Sequence, residues 1–299
     1  MHHYDGTRSL LPRLLETIGE CLDELSFAAL HSFNIIKIIG DTSIIASLVH
    51  DDVHNETAGT PSDLRSAELS IRSQIFATSD FGFTIGAHPD ILRCIERITQ
   101  FNRARYRQEK MYESSDDFIF DTLSVLNSHR RDVEQNAQSL RQFGVLEKQN
   151  QLNHDLLSHC NVSYNPEKVF QEAAFIYATY IYLYRTVHDV LPHIVQGYVA
   201  KTFKYVSSFS EVHDGNFSFW PAFVAAAEAY KEDDLLEARK WLFGASSIGM
   251  TSRKSARHVL EEIWRRRDAM SASSGLDLGQ ISIDWRLAMA ELGYEVLLI

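Results

Sequence analysis

The chain has 299 residues, of which 45% are hydrophobic, with only 14 Gly and 6 Pro. That is enough apolar material for a folded core and too few turn residues for a strand-rich fold, so long helices are expected. Acidic residues outnumber basic ones by 40 to 29, and the formal net charge of −11 repels a phosphate backbone, which argues against DNA binding by this segment alone.

Cys21, Cys94 and Cys160 lie far apart and fit neither a disulfide framework nor a CxxC metal knuckle, so a reducing compartment is expected. No apolar run reaches the roughly 18–20 residues of a membrane span, and no basic region followed by an apolar signal core opens the chain. A soluble, non-secreted chain without membrane contact is the expectation.

From Arg8 to Gly40, Leu10, Leu14, Ile18, Cys21, Leu22 and Leu25 recur at helical spacing, and Phe27 to Ile39 is more apolar still. Two helices are read there, the second largely buried. Asp41 or Thr42 caps a further helix through His50, and Asn55 to Pro61 is a polar loop before a helix toward Phe76. His88-Pro-Asp90 starts another helix with Pro89 in its first turn, where a missing N–H is harmless, and with Ile91, Leu92, Ile95 and Ile98 as the buried stripe. Ser114 to Phe143 is amphipathic and highly charged, with Gly144 as its stop, and 145–163 is read as an internal loop.

Asn165-Pro-Glu167 opens a helix that is apolar on most sides. One stripe holds Val169, Ala173, Ile176, Tyr180, Tyr184 and Val187, and the adjacent one holds Phe170, Ala174, Tyr177 and Ile181. Such a helix belongs at the centre of a bundle. Leu191 to Phe209 supplies its partner, and later helices begin near Trp220, Asp233, Ser252 and Asp284.

Three aromatic-anchored blocks close the chain in order: Phe217-Ser-Phe-Trp-Pro221, Val259-Leu-Glu-Glu-Ile-Trp-Arg-Arg-Arg-Asp268, and Asp284-Trp-Arg-Leu-Ala-Met-Ala-Glu-Leu-Gly293 running into Tyr294 to Ile299. Together they resemble the C-terminal end of the fungal-specific transcription factor domain, the regulatory domain that follows a binuclear zinc-cluster DNA reader in many fungal activators. Glu172 to Arg185 is similar to that family's central aromatic helix, Val195-Gln-Gly-Tyr-Val199 to the segment after that helix, and Ile85-Gly-Ala-His-Pro-Asp-Ile-Leu to its Gly-led helix. Asn34 to His50 resembles its earlier helix pair. The motifs are packing features: Ala256, Val259, Leu260, Ile263 and Trp264, and then Trp285, Ala288, Met289 and Leu292, fall at helical intervals, with Asp284 as cap and Gly293 as stop.

The resemblance implies an all-α fold, a single bundle-like regulatory domain over 1–299 with roughly ten or more helices. It also implies nuclear transcriptional control and no enzyme activity. Partners would be the transcription machinery or other regulators, with a small-molecule effector and a homodimer both compatible. A binuclear cluster needs six closely spaced cysteines, so this chain carries no cofactor, and zinc is expected only in a separate upstream DNA-binding segment.

Other chemistry is weighed on its residues. His50-Asp-Asp-Val-His54 places two His at i and i+4 as in a zinc HExxH helix, but Asp51 stands where Glu is wanted, and a polar helix end explains the pattern better. Asp51 and Asp52 also resemble the first aspartate-rich motif of all-helical isoprenoid diphosphate enzymes, which use magnesium. Here Asn55 replaces the motif's last acidic position, and Asp233-Asp234 lacks the surroundings of the second motif. A stand-alone interaction protein without a DNA reader is a third alternative.

His154, His159 and Cys160 have poor single-face geometry for a ligand set. Arg103, Arg105 and Arg107, and the run Arg265-Arg-Arg267, are read as solvated helix faces rather than anion sites. Tyr177, Tyr184 and Trp220 are the candidates for lining a ligand pocket, against the plainer reading that they are core residues whose polar tips find partners.

Overall fold

The computed structural model describes residues 24–44, 82, 85–107, 114–149, 166–213, 217–246, 251–294, 296 and 298, with side chains described only from residue 29 in the first helix and up to residue 140 in the third. The described residues form α-helices, with a 3₁₀ turn before the last of them and no strand among them. In chain order these are α1 (Glu24–Asp41), α2 (Pro89–Tyr106), α3 (Ser115–Gln149), α4 (Pro166–Thr186), α5 (Pro192–Val212), α6 (Phe219–Glu228), α7 (Glu232–Ser246), α8 (Thr251–Ser274), a 3₁₀ turn (Leu278–Gln280) and α9 (Trp285–Glu291). The all-α expectation is met.

Helix α4 is the axis of the bundle because it has no polar face to give to water. Every residue from Ala173 to Leu183 is buried. It packs on α5 most extensively, and on α3, α6 and α2. Its tyrosines carry polar tips into this packing, and each tip is satisfied across a helix interface. Tyr182 Oη meets Thr99 Oγ1 of α2 at 2.9 Å, Tyr180 Oη donates to Asn127 Oδ1 of α3 at 2.7 Å, and Tyr177 Oη donates to Glu134 of α3. A buried hydroxyl left unpaired would cost about 1–3 kcal/mol, so these pairs also fix the register of α4 against its neighbours.

The turn into α2 shows why its sequence contains glycine where it does. Gly86 has φ +71°, and a Cβ there would stand 1.9 Å from Gln171 Oε1 on α4. His88 then caps α2 through its ring, with Nδ1 accepting the Asp90 N–H at 3.2 Å, and Pro89 occupies the first turn. Ile91, Leu92, Ile95 and Ile98 are completely buried, as their spacing requires.

Helix α3 differs from expectation. It continues through Gly144 to Gln149, 35 residues in all. A mid-helix glycine costs only about 1 kcal/mol relative to alanine, too little to end a long helix when no left-handed cap follows. Residues 145–149 therefore belong to α3. The rest of the expected loop, together with the expected helices before residue 24 and between residues 45 and 81, lies outside the described residues.

The three C-terminal aromatic blocks build one buried layer. All ten residues of α6 are buried. Trp220 stacks on Phe175 of α4 at 5.7 Å, and Trp285 of α9 meets Phe223 edge-on at 5.4 Å. Asp284 caps α9 by accepting the Arg286 N–H at 2.7 Å. Gly293, with φ +68°, ends the helix in a left-handed turn in which the Tyr294 N–H bonds the Met289 carbonyl at 2.9 Å. Val296 and Leu298 fold back into the core, as expected for the apolar tail.

A helix buried to its last residue must find donors for its final carbonyls, and α6 finds them on other elements. Trp264 Nε1 of α8 donates to the Ala226 carbonyl at 2.9 Å, and Gln196 Nε2 of α5 to that of Glu228 at 2.9 Å. Arg267 of α8 donates to the carbonyls of Ala227 at 3.0 Å, Ala229 at 2.8 Å and Ile281 at 3.3 Å. The reading of Arg267 as part of a solvated face is thus corrected: it is 1% exposed, and its guanidinium is placed where the negative end of the α6 dipole is strongest. Nearby, Arg185 pairs with the buried Glu228 carboxylate at 2.9 Å.

Candidate functional site

The three pocket candidates from the sequence sit in ring packing between helices. Trp220 is 1% exposed, and its Nε1 donates to Thr42 Oγ1 at 3.0 Å. Tyr177 and Tyr184 belong to a ladder of stacked rings between α4 and α5. In it Tyr177 stacks on Tyr205 at 5.8 Å, Tyr180 on Tyr198 at 4.9 Å, and Tyr184 on Tyr198 at 5.8 Å. Burial pushes the hydroxyl pKa of Tyr177 and Tyr180 above the ordinary phenol value, so both stay neutral hydrogen-bonding groups. Both helices commit these rings to each other.

A groove does open between α7 and α8. It has a volume of about 530 Å³ and is lined by Arg239, Leu242 and Phe243 of α7 and by Arg257, Glu261, Trp264, Arg265 and Asp268 of α8. Its origin is the two-sided pattern of α8. Ala256, Val259, Leu260, Ile263 and Arg267 face the bundle, while Arg257, Glu261, Arg265 and Asp268 run along the opposite stripe. Trp264 sits at the boundary, its N–H directed inward and its ring at the groove.

Leu242, Phe243 and Trp264 give the groove an apolar floor. Phe243 is 76% exposed, and Arg239 lies over the Trp264 ring at 5.5 Å. Around this floor the charges are partly neutralised. Arg257 bonds Glu261 at 2.7 Å, and Arg265 and Arg266 share Glu262, whose carboxyl is held down to about 2 by those two guanidinium hydrogen bonds. The lining combines aromatic surface with guanidinium groups and includes no thiol, hydroxyl nucleophile or histidine. Its chemistry is that of binding an amphipathic ligand. The sequence reading took Trp264 as a packing residue and named neither Arg239 nor Phe243. The available signal was an aromatic residue on the polar side of a charged helix.

His50 to His54, with Asp51 and Asp52, and His154, His159 and Cys160, lie outside the described residues. Arg103 bonds Asp41 through both its carboxylate, at 3.2 Å, and its carbonyl, at 3.1 Å, and Arg105 donates to the Val187 carbonyl at 2.7 Å, so both serve the fold. Cys94 is buried, and that burial pushes its thiol up to about 12. Among the described residues, one set could hold a metal: His88, Asp90 and His129 offer ligand atoms within 4.8 Å of one another. Also among them, no helix is long and apolar enough to cross a membrane.

Residues 2–299 match the family described as fungal specific transcription factor domain. Arginine metabolism regulation protein II of Saccharomyces cerevisiae is 27% identical over 99 residues, which is 31% of this chain and 11% of that protein. The chain thus spans a small part of the relative's length. No solved structure matches it. The family match runs through nearly the whole sequence, and the chain belongs to the fungal-specific transcription factor domain family, whose role is transcription regulation.

Proposed function

We propose that this domain is the effector-reading part of a zinc-cluster-type regulator that acts in the nucleus and contacts DNA through a separate segment. The α7–α8 groove is then the place where the effector is read. The observation that carries this is the groove's composition: the exposed Phe243 ring and the edge of the largely buried Trp264 beside Arg239, in about 530 Å³, a size suited to a small molecule with an apolar body and an anionic group. The net charge of −11 supports the division of labour, since a surface of that sign is a poor partner for DNA. Its partners in this role would be other regulators or the transcription machinery.

The mechanism is population shift. An effector changes output only through unequal affinity for two states of the domain, one that exposes and one that masks a contact surface. At 100 times its Kd, an effector that binds only the folded domain adds about 2.7 kcal/mol, a rise in Tm of roughly 4 °C for a chain of this length. The test joins thermal titration with a reporter assay, in which the domain is fused to an unrelated DNA reader. Small amphipathic acids should raise Tm and change reporter output, and Phe243→Ser and Arg239→Ala should abolish both responses without lowering the Tm of the free domain. A response that survives both substitutions would remove the groove from the mechanism.

A further inference from the structure

On the side of the bundle formed by α2, α3 and α4, two imidazoles converge on one carboxylate oxygen. His88 Nδ1 lies 3.6 Å from Asp90 Oδ2, and His129 Nε2 lies 3.3 Å from the same oxygen. The two rings are stacked at a tilt with centroids 4.2 Å apart. In a tetrahedral shell with metal–nitrogen and metal–oxygen bonds of about 2.0–2.2 Å, neighbouring ligand atoms stand roughly 3.3–3.6 Å apart. The two measured separations match that edge length. We propose that His88, Asp90 and His129 form a binding site for one zinc-like divalent cation, which ties the start of α2 to the middle of α3.

The surroundings suit the ion. His129 turns its other nitrogen, Nδ1, toward Glu172 Oε1 of α4 at 3.8 Å, which places a carboxylate behind the ring, on the side away from the ion. Arg93 holds the second oxygen of Asp90 at 3.0 Å, which leaves Oδ2 directed at the two rings. The side chains of His88 and Asp90 are 39% and 40% exposed, which gives the ion a path in and a water a place in the fourth position.

Binding has one structural consequence. The His88 Nδ1 lone pair now accepts the Asp90 N–H at 3.2 Å, and the cation competes for it. The metal therefore replaces a helix cap with a cross-link between helices. A nitrogen-rich set with a single carboxylate favours zinc, copper, nickel or cobalt over magnesium or calcium.

The experiment titrates zinc into the full chain against a chromophoric chelator, with cobalt absorption as a report of ligand geometry. The other histidines of the chain, among them His50, His54, His154 and His159, make ligand variants essential. One equivalent should bind with a Kd below about 1 µM, and His129→Gln and Asp90→Asn should each weaken it by at least roughly 10–100-fold. Melting curves of the metal-free variants accompany the titration, and if His129→Gln does not fold, the near-isosteric Asp90→Asn decides. Absence of binding, or binding that Asp90→Asn leaves unchanged, overturns the site.

Discussion

Replacing Arg267 by Met tests whether the C-terminal end of α6 depends on a buried cation. Two of the arginine's hydrogen bonds, at 2.8 Å to Ala229 and 3.0 Å to Ala227, are short and charge-assisted, and bonds of that kind contribute about 1.5–3 kcal/mol each. The Ile281 bond at 3.3 Å is weaker. Their loss strands carbonyls in a layer closed to water, at a gross cost of about 3–5 kcal/mol, and the apolar side chain recovers part of this by avoiding the burial of a charge. A net loss of about 2–4 kcal/mol remains, a large share of the roughly 5–15 kcal/mol that stabilises a domain. Differential scanning calorimetry should show Tm lower by roughly 3–6 °C in a chain of this length. Arg267→Lys should fall between, because an ammonium cannot fork to both carbonyls. The control is Arg265→Ala, two residues away on the exposed face and 67% exposed, which should leave Tm within roughly 1 °C. Equal Tm values for Arg267→Met and Arg265→Ala would refute the carbonyl-capping argument.

Thr42→Val keeps the shape of a fully buried residue but deletes the hydroxyl that accepts from Trp220 and donates to the Ile39 carbonyl at 2.6 Å; chemical denaturation should show a loss of about 1–3 kcal/mol, less than additive with Trp220→Phe. Gly86→Ala drives a Cβ to 1.9 Å from Gln171 Oε1 and 2.4 Å from its Cβ, whereas Gly275→Ala, at a similar φ of +73°, meets no atom within 4 Å. The second should cost only the backbone strain of about 1–2 kcal/mol and the first clearly more, with equal losses by denaturation speaking against the close packing of that turn on α4. Cys94, its thiol pushed up to about 12, should resist iodoacetamide at pH 8 in the native protein and react once it is unfolded, as peptide-resolved mass spectrometry can follow.

The helices were legible wherever their signal was local. Pro89 and Pro166 mark helix starts, Asp284 and Gly293 bracket α9, and the doubled apolar stripe of α4 announces its central place. What stayed hidden depends on contacts distant in sequence. Arg267 looks like its neighbours Arg265 and Arg266 in any window of α8, and only the arrival of α6 and the 3₁₀ turn on its side of the helix makes it a core residue. Gly144 carries a stop signal whose cost is small against the rest of a long helix. The metal-ligand set was invisible for the same reason: His88 and Asp90 read as a helix start, and His129 stands 39 residues beyond Asp90.

Trp264 connects the two faces of α8 and gives the regulatory reading a physical route. Its indole N–H closes the Ala226 carbonyl in the buried layer, one residue from the pair that Arg267 serves, while its ring forms part of the groove floor under Arg239. A ligand whose anionic group pairs with Arg239 engages the guanidinium that lies over that ring. Any rotation of the ring on ligand binding must lengthen the bond to Ala226, in a layer where an unpaired acceptor costs about 1–3 kcal/mol. That magnitude is comparable with the roughly 1–3 kcal/mol typical of coupling between sites. Groove occupancy and the packing of α6 therefore draw on one side chain, and the substitution that separates them is Trp264→Phe. It keeps an aromatic floor and removes the inward bond, so it should retain ligand binding while lowering stability and weakening the transmitted response.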